Sequence, residues 1–340
     1  SDTTPVTDTI IKLDTTAPGK SIDTSLYLPS KVPAPAILIA HGFGGSKDSV
    51  AGDAQFYASK GYVVLTWTAR GFGKSTGQIA MNAIDAAWLS RMMSYKYPGV
   101  VASNMETLEL LNSHTTKWRI KVDWNDAGIA AGLPAHLCMK ANWSGAFDNV
   151  DIHALEARFY HFMVQDMKVP TATCYYADWD DDGSAHGIVI LEDLVQRGGK
   201  FGHSTQKNGV DMIMENLEGL AKLHASLWDS DKISPENAPW LQTQMDTPVD
   251  SDQVRIMWQW IDLNLKEPGF RSIAPKHYLD DPRKVERAFD RLGDIERAYK
   301  APYCIALGDC HQGNTYILPS GERLWLDWQL VRRGRPWRDL

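Results

Sequence analysis

The sequence has no apolar run long enough to cross a bilayer, and it has no block of basic residues. The first absence argues against a membrane-spanning protein. The second, together with a net charge of −7, argues against binding to nucleic acid or to an anionic membrane surface. Nothing at the N-terminus reads as a signal peptide, so we expect a cytoplasmic protein without nucleic-acid or membrane partners.

Cysteine is also scarce. The four cysteines, Cys138, Cys174, Cys304 and Cys310, show no C-x-x-C spacing. This pattern predicts reduced thiols and argues against a zinc site.

Apolar residues, by contrast, make up 44% of the 340 residues, which is enough for a sizeable core. The length fits two domains of ordinary size.

The first 80 residues read as short strands joined by tight turns. Alternation predicts strands at Thr9–Asp14 and Ser21–Leu28, and apolar runs predict two more at Ala36–Ala40 and Tyr62–Trp67. The residues Asp53–Lys60 between the last two runs predict a helix. A strand–helix–strand unit of this kind is typical of a parallel sheet.

Three short motifs overlap in the segment TARGFGKSTGQ, which spans residues 68–78. A P-loop would need a glycine where Thr68 stands, and a dinucleotide fingerprint would need one at Thr76. The G-x-S-x-G pattern of a serine hydrolase surrounds Ser75, but a nucleophile elbow needs a strand that runs directly into the serine. Ser75 lies eight residues beyond Trp67, so we expect an ordinary turn hydroxyl.

The stretch from PAPAILIAHGFGG to RGFGKSTGQ resembles the early part of an α/β-hydrolase, of the kind related to cocaine esterase and X-prolyl dipeptidyl peptidases. The resemblance covers about Thr9–Ile79 and implies that His41–Gly45 is the loop that helps to form the oxyanion hole. It also implies that Ala69–Ser75 is the loop after the next strand. No acid and histidine follow in the order that a hydrolase needs. We therefore interpret residues 1–80 as a partial hydrolase segment, with a serine hydrolase as the alternative enzyme class.

A different pattern begins at about residue 82, and its strongest part is IALGDCHQGNTYI at residues 305–317. Asp309 and Asn314 stand in a D-x-x-x-x-N frame, and Asp327 follows a strand-like apolar pair in LWLDWQ. Phosphoryl transfer needs a carboxylate that orients or deprotonates the attacking hydroxyl, and it needs oxygen ligands for magnesium. The three residues can supply these groups. The alternative is an ordinary polar hairpin.

Two charged residues upstream fit the same chemistry. LPAHLCMK ends in Lys140 on a predicted strand, and Glu156 follows on a helix predicted from DIHALEARFYHFM. A lysine on a strand and a glutamate on the next helix can form the ion pair that holds the α- and β-phosphates. The alternative is a strand-end charge and a solvated helix face.

The next segment, ATCYYADWDDDGSAHGIVILEDL, predicts a hairpin with an acidic turn at Asp178–Asp182. Its second strand, Ile188–Leu191, leads to a predicted hinge of Glu192, Asp193 and Leu194, where backbone groups can bond adenine. The acidic turn could attract a cationic substrate, and its other interpretation is a solvated turn. His224 lies on a later predicted helix and is interpreted as a packed core histidine.

Residues 82–340 resemble the aminoglycoside-phosphotransferase and choline-kinase class, nearest its ecdysteroid-kinase-like branch. The segments that carry the resemblance are HTTKWRIKVDW, LPAHLCMK, LEARFY, ILEDL, LAKLHASLW and GDCHQGNTYILPSGERLWLDWQLVRRGRPWRDL. The resemblance implies a two-lobed, protein-kinase-like α+β fold and an enzyme that uses ATP and Mg²⁺ to phosphorylate a hydroxyl of a small molecule.

The resemblance also assigns residues to roles. Asp309 is the catalytic base and Asn314 and Asp327 are the magnesium ligands. The nucleotide-binding residues are Lys140, Glu156, Glu192 and Leu194.

Two features of the sequence depart from the family pattern. The residues Ser113–Lys117, where a nucleotide-covering loop is expected, contain no glycine, and Leu307 stands where the family usually has a histidine.

The organisation predicted from these patterns is a hydrolase segment at residues 1–80 and a phosphotransferase domain at 81–340. The small lobe is expected at about 81–194 and the large lobe at about 195–340. The family normally continues with several helices beyond the position of Leu340, so a C-terminally truncated large lobe is expected. A fused or truncated gene product that binds a nucleotide without catalysis is a further alternative.

Overall fold

A computed structural model describes residues 6–12, 21–40, 46–68, 81, 84–112, 115–143, 151–180, 186–203, 207–243, 259–281 and 283–340. The chain divides into two compact units. The first unit comprises Ser1–Val164, Thr171–Phe201 and Thr315–Gln329, and the second comprises Gln165–Pro170, Gly202–Asn314 and Leu330–Leu340. Both helices and strands are present, so the α+β class predicted from the sequence is confirmed. The predicted boundaries at residues 80 and 194 stay predictions.

The described strands are β1 (Val6–Lys12), β2 (Ser21–Tyr27), β3 (Ala36–Ala40), β4 (Val63–Trp67), β5 (Ala102–Asn112), β6 (Thr116–Trp124), β7 (His136–Ala141), β8 (Cys174–Trp179), β9 (Gly187–Glu192), β10 (Lys200–Phe201), β11 (Cys304–Ala306), β12 (Thr315–Ile317), β13 (Arg323–Trp325) and β14 (Arg332–Gly334). The described helices are α1 (Ala51–Ser59), α2 (Ala86–Ser94), α3 (Asp126–Ala130), α4 (Ile152–Phe162), α5 (Val210–His224), α6 (Pro268–Ile273), α7 (Lys276–Asp280) and α8 (Arg283–Ala298).

The N-terminal sheet has the strand order β1-β2-β4-β3. β3 and β4 run parallel, as the predicted strand–helix–strand unit requires, and α1 connects them along the chain. Ala54 and Ala58 of α1 pack with Tyr27 and Val64 in a small apolar cluster, because residues four apart lie on one face of a helix. The first strand pairs with β2 from Val6 to Lys12, so it begins three residues before the predicted Thr9, and the predicted end at Asp14 lies outside the described residues.

The second sheet of the first unit is antiparallel and has the order β5-β6-β7-β9-β8. Helix α2 packs against it: Trp88, Leu89, Met92 and Met93 are buried in one cluster with residues of the sheet. Asp85 caps the start of this helix, and its carboxylate accepts a hydrogen bond of 2.7 Å from the Trp88 amide. The same side chains that make α2 amphipathic therefore attach it to the five-stranded sheet.

Helix α4 lies between β7 and β8 in the chain and packs against β8 and β9. Close contact is possible because Gly187 begins β9: a Cβ at this position would come within 2.3 Å of the His153 carbonyl oxygen. β8 and β9 form the hairpin that the sequence predicts, although Asp181 and Asp182 of its acidic turn lie outside the described residues. The arrangement presents a strand, β7, and the helix that follows it, which is the kinase-like order of elements predicted from the sequence.

A small antiparallel sheet with the order β10-β12-β13 completes the first unit. Tyr316 of β12 is buried with Leu194 and Leu324, and its hydroxyl donates a hydrogen bond of 2.6 Å to the Leu194 carbonyl. β13 ends at Trp325, two residues before Asp327. This sheet therefore fixes the position of the segment that carries the predicted magnesium ligand.

The second unit combines helices with the two-stranded antiparallel sheet of β11 and β14. Leu220, Leu223 and His224 form the buried face of α5, and α5 packs against β11. β11 is buried along its whole length and leads directly to Asp309. In the described part of the chain, no helix combines the length and the apolar composition that a membrane crossing requires.

Candidate active site

Lys140 is the centre of a buried charged cluster in the first unit. It lies on β7, and its ammonium nitrogen is 2.8 Å from Oε2 of Glu156 on α4. The same nitrogen is 2.8 Å from Oδ1 of Asp327. Only 5% of the Lys140 side chain and 2% of the Glu156 side chain are exposed. We call these three residues the lysine cluster; the strand and helix that the sequence predicts do bring Lys140 and Glu156 together.

The charges of the lysine cluster depend on one another. Burial by itself lowers the pKa of Lys140, but the negative charges of Asp327 and Glu156 hold this pKa above its ordinary value. Burial raises the pKa of Glu156, against the attraction of Lys140. For Asp327 the effect of burial is outweighed by Lys140, and its pKa is lowered. One cation thus lies between two carboxylates. A bound group that contacts Asp327 would therefore change the pKa values of all three residues.

Asp327 has an unusual backbone conformation. Its φ is +61°, a value that few residues other than glycine adopt. The next residue, Trp328, donates its amide to Oε1 of Glu156 at 3.3 Å and stacks its ring on Phe159 with 3.9 Å between the ring centroids. These contacts hold the residue after Asp327 against α4. Strained backbone that is held in this way is typical of functional sites.

The second group of predicted residues lies in the second unit, in the loop after β11. The amide nitrogen Nδ2 of Asn314 donates to the backbone oxygen of Asp309 at 2.8 Å and to its carboxylate oxygen Oδ2 at 3.1 Å. Asn314 is buried, whereas 46% of the Asp309 side chain is exposed. His311 lies beside Asp309, with 3.6 Å between Nε2 and Oδ2. The D-x-x-x-x-N frame therefore closes a loop that presents one carboxylate to solvent.

Asp339 anchors this loop, and sequence reasoning missed it. Its buried carboxylate accepts hydrogen bonds from the amides of Leu307 and Gly308 at 2.8 and 2.9 Å, directly before Asp309. It also bonds Nε2 of His224 at 2.9 Å. His224 is buried as predicted, but it has this polar partner as well. In the sequence, Asp339 is part of RDL at residues 338–340, and it lies 30 positions after Asp309. No pattern there links it to the loop.

Glycine is needed within the same loop. Gly308 has φ +83°, and a Cβ at this position would come within 2.2 Å of the Leu330 carbonyl oxygen. A side chain here would require both a strained φ and a displaced backbone. The Gly-Asp pair of the motif therefore combines a close approach of two backbone segments with the exposed carboxylate of Asp309.

We expect Asp339→Ala to loosen the loop that carries Asp309. Two amides and one imidazole would lose a buried acceptor, which costs roughly 3 kcal/mol or more in the free energy of unfolding. The direct measurement is hydrogen exchange, in which the Leu307 and Gly308 amides should lose protection. Asp294→Ala removes a carboxylate from an exposed ion pair with Arg297 and should change neither quantity appreciably. Unchanged protection at both amides in Asp339→Ala would show that Asp339 is not the anchor.

The predicted hinge lies at the end of β9. The Glu192 amide donates to the Thr173 carbonyl at 2.9 Å, and the Leu194 carbonyl accepts from Tyr316. Between them, Asp193 receives two hydrogen bonds of 3.0 Å from the guanidinium of Arg119. The segment is therefore firmly held, and two of its backbone groups already have partners. The adenine contacts of Glu192 and Leu194 stay a prediction.

Asn314 in the second unit and Asp327 in the first each have an oxygen of the kind that magnesium binds. Asn314 commits its amide nitrogen to Asp309, so its amide oxygen is the atom available as a ligand. Asp327 uses only Oδ1 with Lys140, and 27% of its side chain is exposed. Magnesium takes one or two protein oxygens and completes its shell with water and phosphate oxygens. No three His, Cys, Asp or Glu side chains of the described residues form a cluster that could hold a metal by themselves.

The N-terminal segment matches a known family model. This model is that of the X-Pro dipeptidyl-peptidase (S15 family), and it covers residues 18–97. The match agrees with the hydrolase resemblance predicted for residues 9–79 and continues through α2, which packs on the five-stranded sheet. The predicted oxyanion loop His41–Gly45 and Ser75 lie outside the described residues. A search of the curated proteins found no match.

Solved structures to which this chain is similar include small-molecule phosphotransferases. A spectinomycin phosphotransferase in complex with ADP and spectinomycin is 12% identical, with a TM-score of 0.39 over 75% of this chain and 72% of that one. A macrolide 2'-phosphotransferase from Brachybacterium faecium is 16% identical, with a TM-score of 0.37 over 74% of each chain. The GDP complex of an aminoglycoside 2'-phosphotransferase is 11% identical, with a TM-score of 0.36 over 75% of this chain and 76% of that one.

Proposed function

We propose that this chain is a phosphotransferase that uses ATP and Mg²⁺ to phosphorylate a hydroxyl of a small molecule. The observation that carries the proposal is the lysine cluster. Burying a lysine between two carboxylates costs desolvation free energy. Such a lysine is expected where the site has a use for its charge. Phosphoryl transfer has such a use, because a lysine held by a glutamate can bind the phosphates of a nucleotide.

Each predicted residue has a role in this function. Lys140 binds the α- and β-phosphates and Glu156 holds it in place. Asn314 and Asp327 bind magnesium, which neutralises phosphate charge when it is present. Asp309 accepts the proton of the attacking hydroxyl, and its exposed carboxylate is accessible to such an acceptor. Backbone groups at Glu192 and Leu194 bind the adenine.

The acceptor in this proposal is a small alcohol, and the nearest resemblance suggests the ecdysteroid-kinase-like branch. Neither nucleic acid nor a membrane is proposed as a partner, in keeping with the net charge of −7.

All four cysteines are free thiols. Burial raises the pKa of Cys138 to about 11 and that of Cys174 to about 12, so both are protonated at neutral pH. In keeping with the four free thiols, we propose a cytoplasmic, reducing location.

Calorimetric titration tests the proposal. The protein should bind ATP more tightly with magnesium than without it, and Asp327→Ala should abolish the difference because a metal ligand is lost. Glu322→Ala, an exposed carboxylate in the turn between β12 and β13, is the matched control and should behave like the unchanged protein. An affinity for ATP that neither magnesium nor Asp327→Ala changes would refute the proposed site. Binding without phosphorylation of any alcohol would favour a non-catalytic nucleotide-binding protein.

The family match keeps a serine hydrolase as the second candidate function, and here we expect a negative result. Ser75 has the G-x-S-x-G frame, but an activated serine needs a base within about 3 Å, and no partner acid and histidine follow in order. A fluorophosphonate probe should leave Ser75 unlabelled, and ester hydrolysis should be equal in the unchanged protein and in Ser75→Ala. Stoichiometric labelling at Ser75 would favour the hydrolase over the phosphotransferase.

A further inference from the structure

One buried hydroxyl in the first unit joins three separate parts of the chain. Oγ1 of Thr115, directly before β6, is 3.0 Å from Nε2 of His153 on α4. It also accepts a hydrogen bond of 2.7 Å from Nε2 of Gln329, which follows β13. All three residues are at most 9% exposed. Thr115 belongs to the glycine-free connection between β5 and β6, where a nucleotide-covering loop is expected from the sequence.

Donors and acceptors in this network match. Burial, assisted by the positive charge of Lys140, lowers the pKa of His153 to about 4, so the ring is neutral near pH 7. A neutral imidazole has one nitrogen that accepts a hydrogen bond. The Gln329 amide donates to Thr115, and the Thr115 hydroxyl can then donate to Nε2 of His153. The Thr115 hydroxyl, Nε2 of His153 and the amide nitrogen of Gln329 thereby satisfy one another.

The two partners of Thr115 lie close to the lysine cluster in the chain. His153 is one helical turn before Glu156 on α4, and Gln329 is two residues after Asp327. A shift of the connection would therefore act on the helix that holds Lys140 and on the segment that carries Asp327. The neighbouring Thr116 is equally buried, but its hydroxyl donates within the hairpin, to Oδ1 of Asn112 at 3.1 Å.

Glycine normally lets a nucleotide-covering loop approach phosphates through its backbone. Residues 113–117 contain no glycine, and Thr115 within them is held by side-chain hydrogen bonds instead. We infer that Thr115, His153 and Gln329 are positioning residues, which fix the start of β6 against α4 and the Asp327 segment and thereby set the affinity for the phosphates of the nucleotide. This inference rests on the proposed function.

The experiment compares nucleotides that differ only in phosphate. Thr115→Val removes the hydroxyl at nearly constant volume. It should weaken ATP–Mg binding about 10-fold, the effect expected when one or two buried hydrogen bonds are lost. Adenosine binding should be unchanged, because the network acts at the phosphate end. Thr115→Ser keeps the hydroxyl and should restore ATP affinity, and Thr116→Val is the matched control that should leave it unchanged.

The outcomes separate the two proposals. No ATP binding by the unchanged protein would refute the proposed function itself. ATP binding that Thr115→Val leaves intact, or that Thr115→Val and Thr116→Val weaken equally, would overturn the inference and leave the function standing. So would an equal loss of ATP and adenosine binding, which indicates general loosening. Gln329→Met tests the same bond from the other side and should give the same phosphate-selective loss if Thr115→Val fails to fold.

Discussion

Asp309→Asn should lower kcat for phosphorylation by about three to four powers of ten while ATP affinity changes little. The variant removes the carboxylate that we propose accepts the proton and orients the attacking hydroxyl. It keeps the shape of the side chain and an oxygen that can accept the hydrogen bond from Asn314. Because 46% of the side chain is exposed, the fold should tolerate the change. We therefore expect kcat to fall without a matching change in the affinity for ATP.

The measurement is ADP release with ATP–Mg and a panel of amino-sugar, macrolide and sterol alcohols, followed by kcat with the best acceptor. Asp294→Asn is the control, since it changes an exposed carboxylate of the same unit. Full activity in Asp309→Asn would rule out Asp309 as the base. A parallel loss of ATP binding would instead assign it to the binding of the nucleotide.

The second large effect concerns the lysine cluster. Lys140→Met leaves the buried carboxylate of Glu156 without its cation, which should lower the free energy of unfolding by about 3–5 kcal/mol. It should also reduce transfer by at least about two powers of ten, since the lysine that we propose binds the phosphates is lost. By itself this variant cannot distinguish a structural role from a functional one.

The double variant Lys140→Met/Glu156→Gln makes that distinction. The glutamine side chain that it introduces on α4 is neutral and keeps an oxygen for the Trp328 amide, so most of the stability should return. Activity should not return, because no cation meets the phosphates. Thermal unfolding and kcat/KM for ATP are the two measurements. Recovery of activity together with stability would show that Lys140 only holds the fold together.

Periodicity and turn chemistry predicted part of the local structure. The apolar run at Ala36–Ala40 and the helix near Asp53–Lys60 are present, and the N-terminal pair of parallel strands follows from them. The amphipathic pattern around Glu156 gave α4 to within a residue or two. These features depend on which face of an element is apolar, and the order of residues fixes that directly.

The pairing of Lys140 with Glu156 could also be anticipated, because a strand and the helix that follows it are neighbours in the chain. The third member of the cluster could not be anticipated as a partner of Lys140. Asp327 comes 187 residues later, and it contacts Lys140 only because the hairpin of β12 and β13 packs within the first unit. Sequence patterns identified Asp327 as a candidate metal ligand but contained no information on this contact.

The sequence by itself determined the α+β class, several of the strands and helices, and a set of candidate residues whose chemistry suits phosphotransfer. Only the tertiary structure decided which of them meet, that Asp339 anchors the loop before Asp309, and that Thr115 joins α4 to the Asp327 segment. The reason is physical. Periodicity specifies which face a side chain occupies, whereas a hydrogen bond between distant segments depends on how the chain brings those faces together.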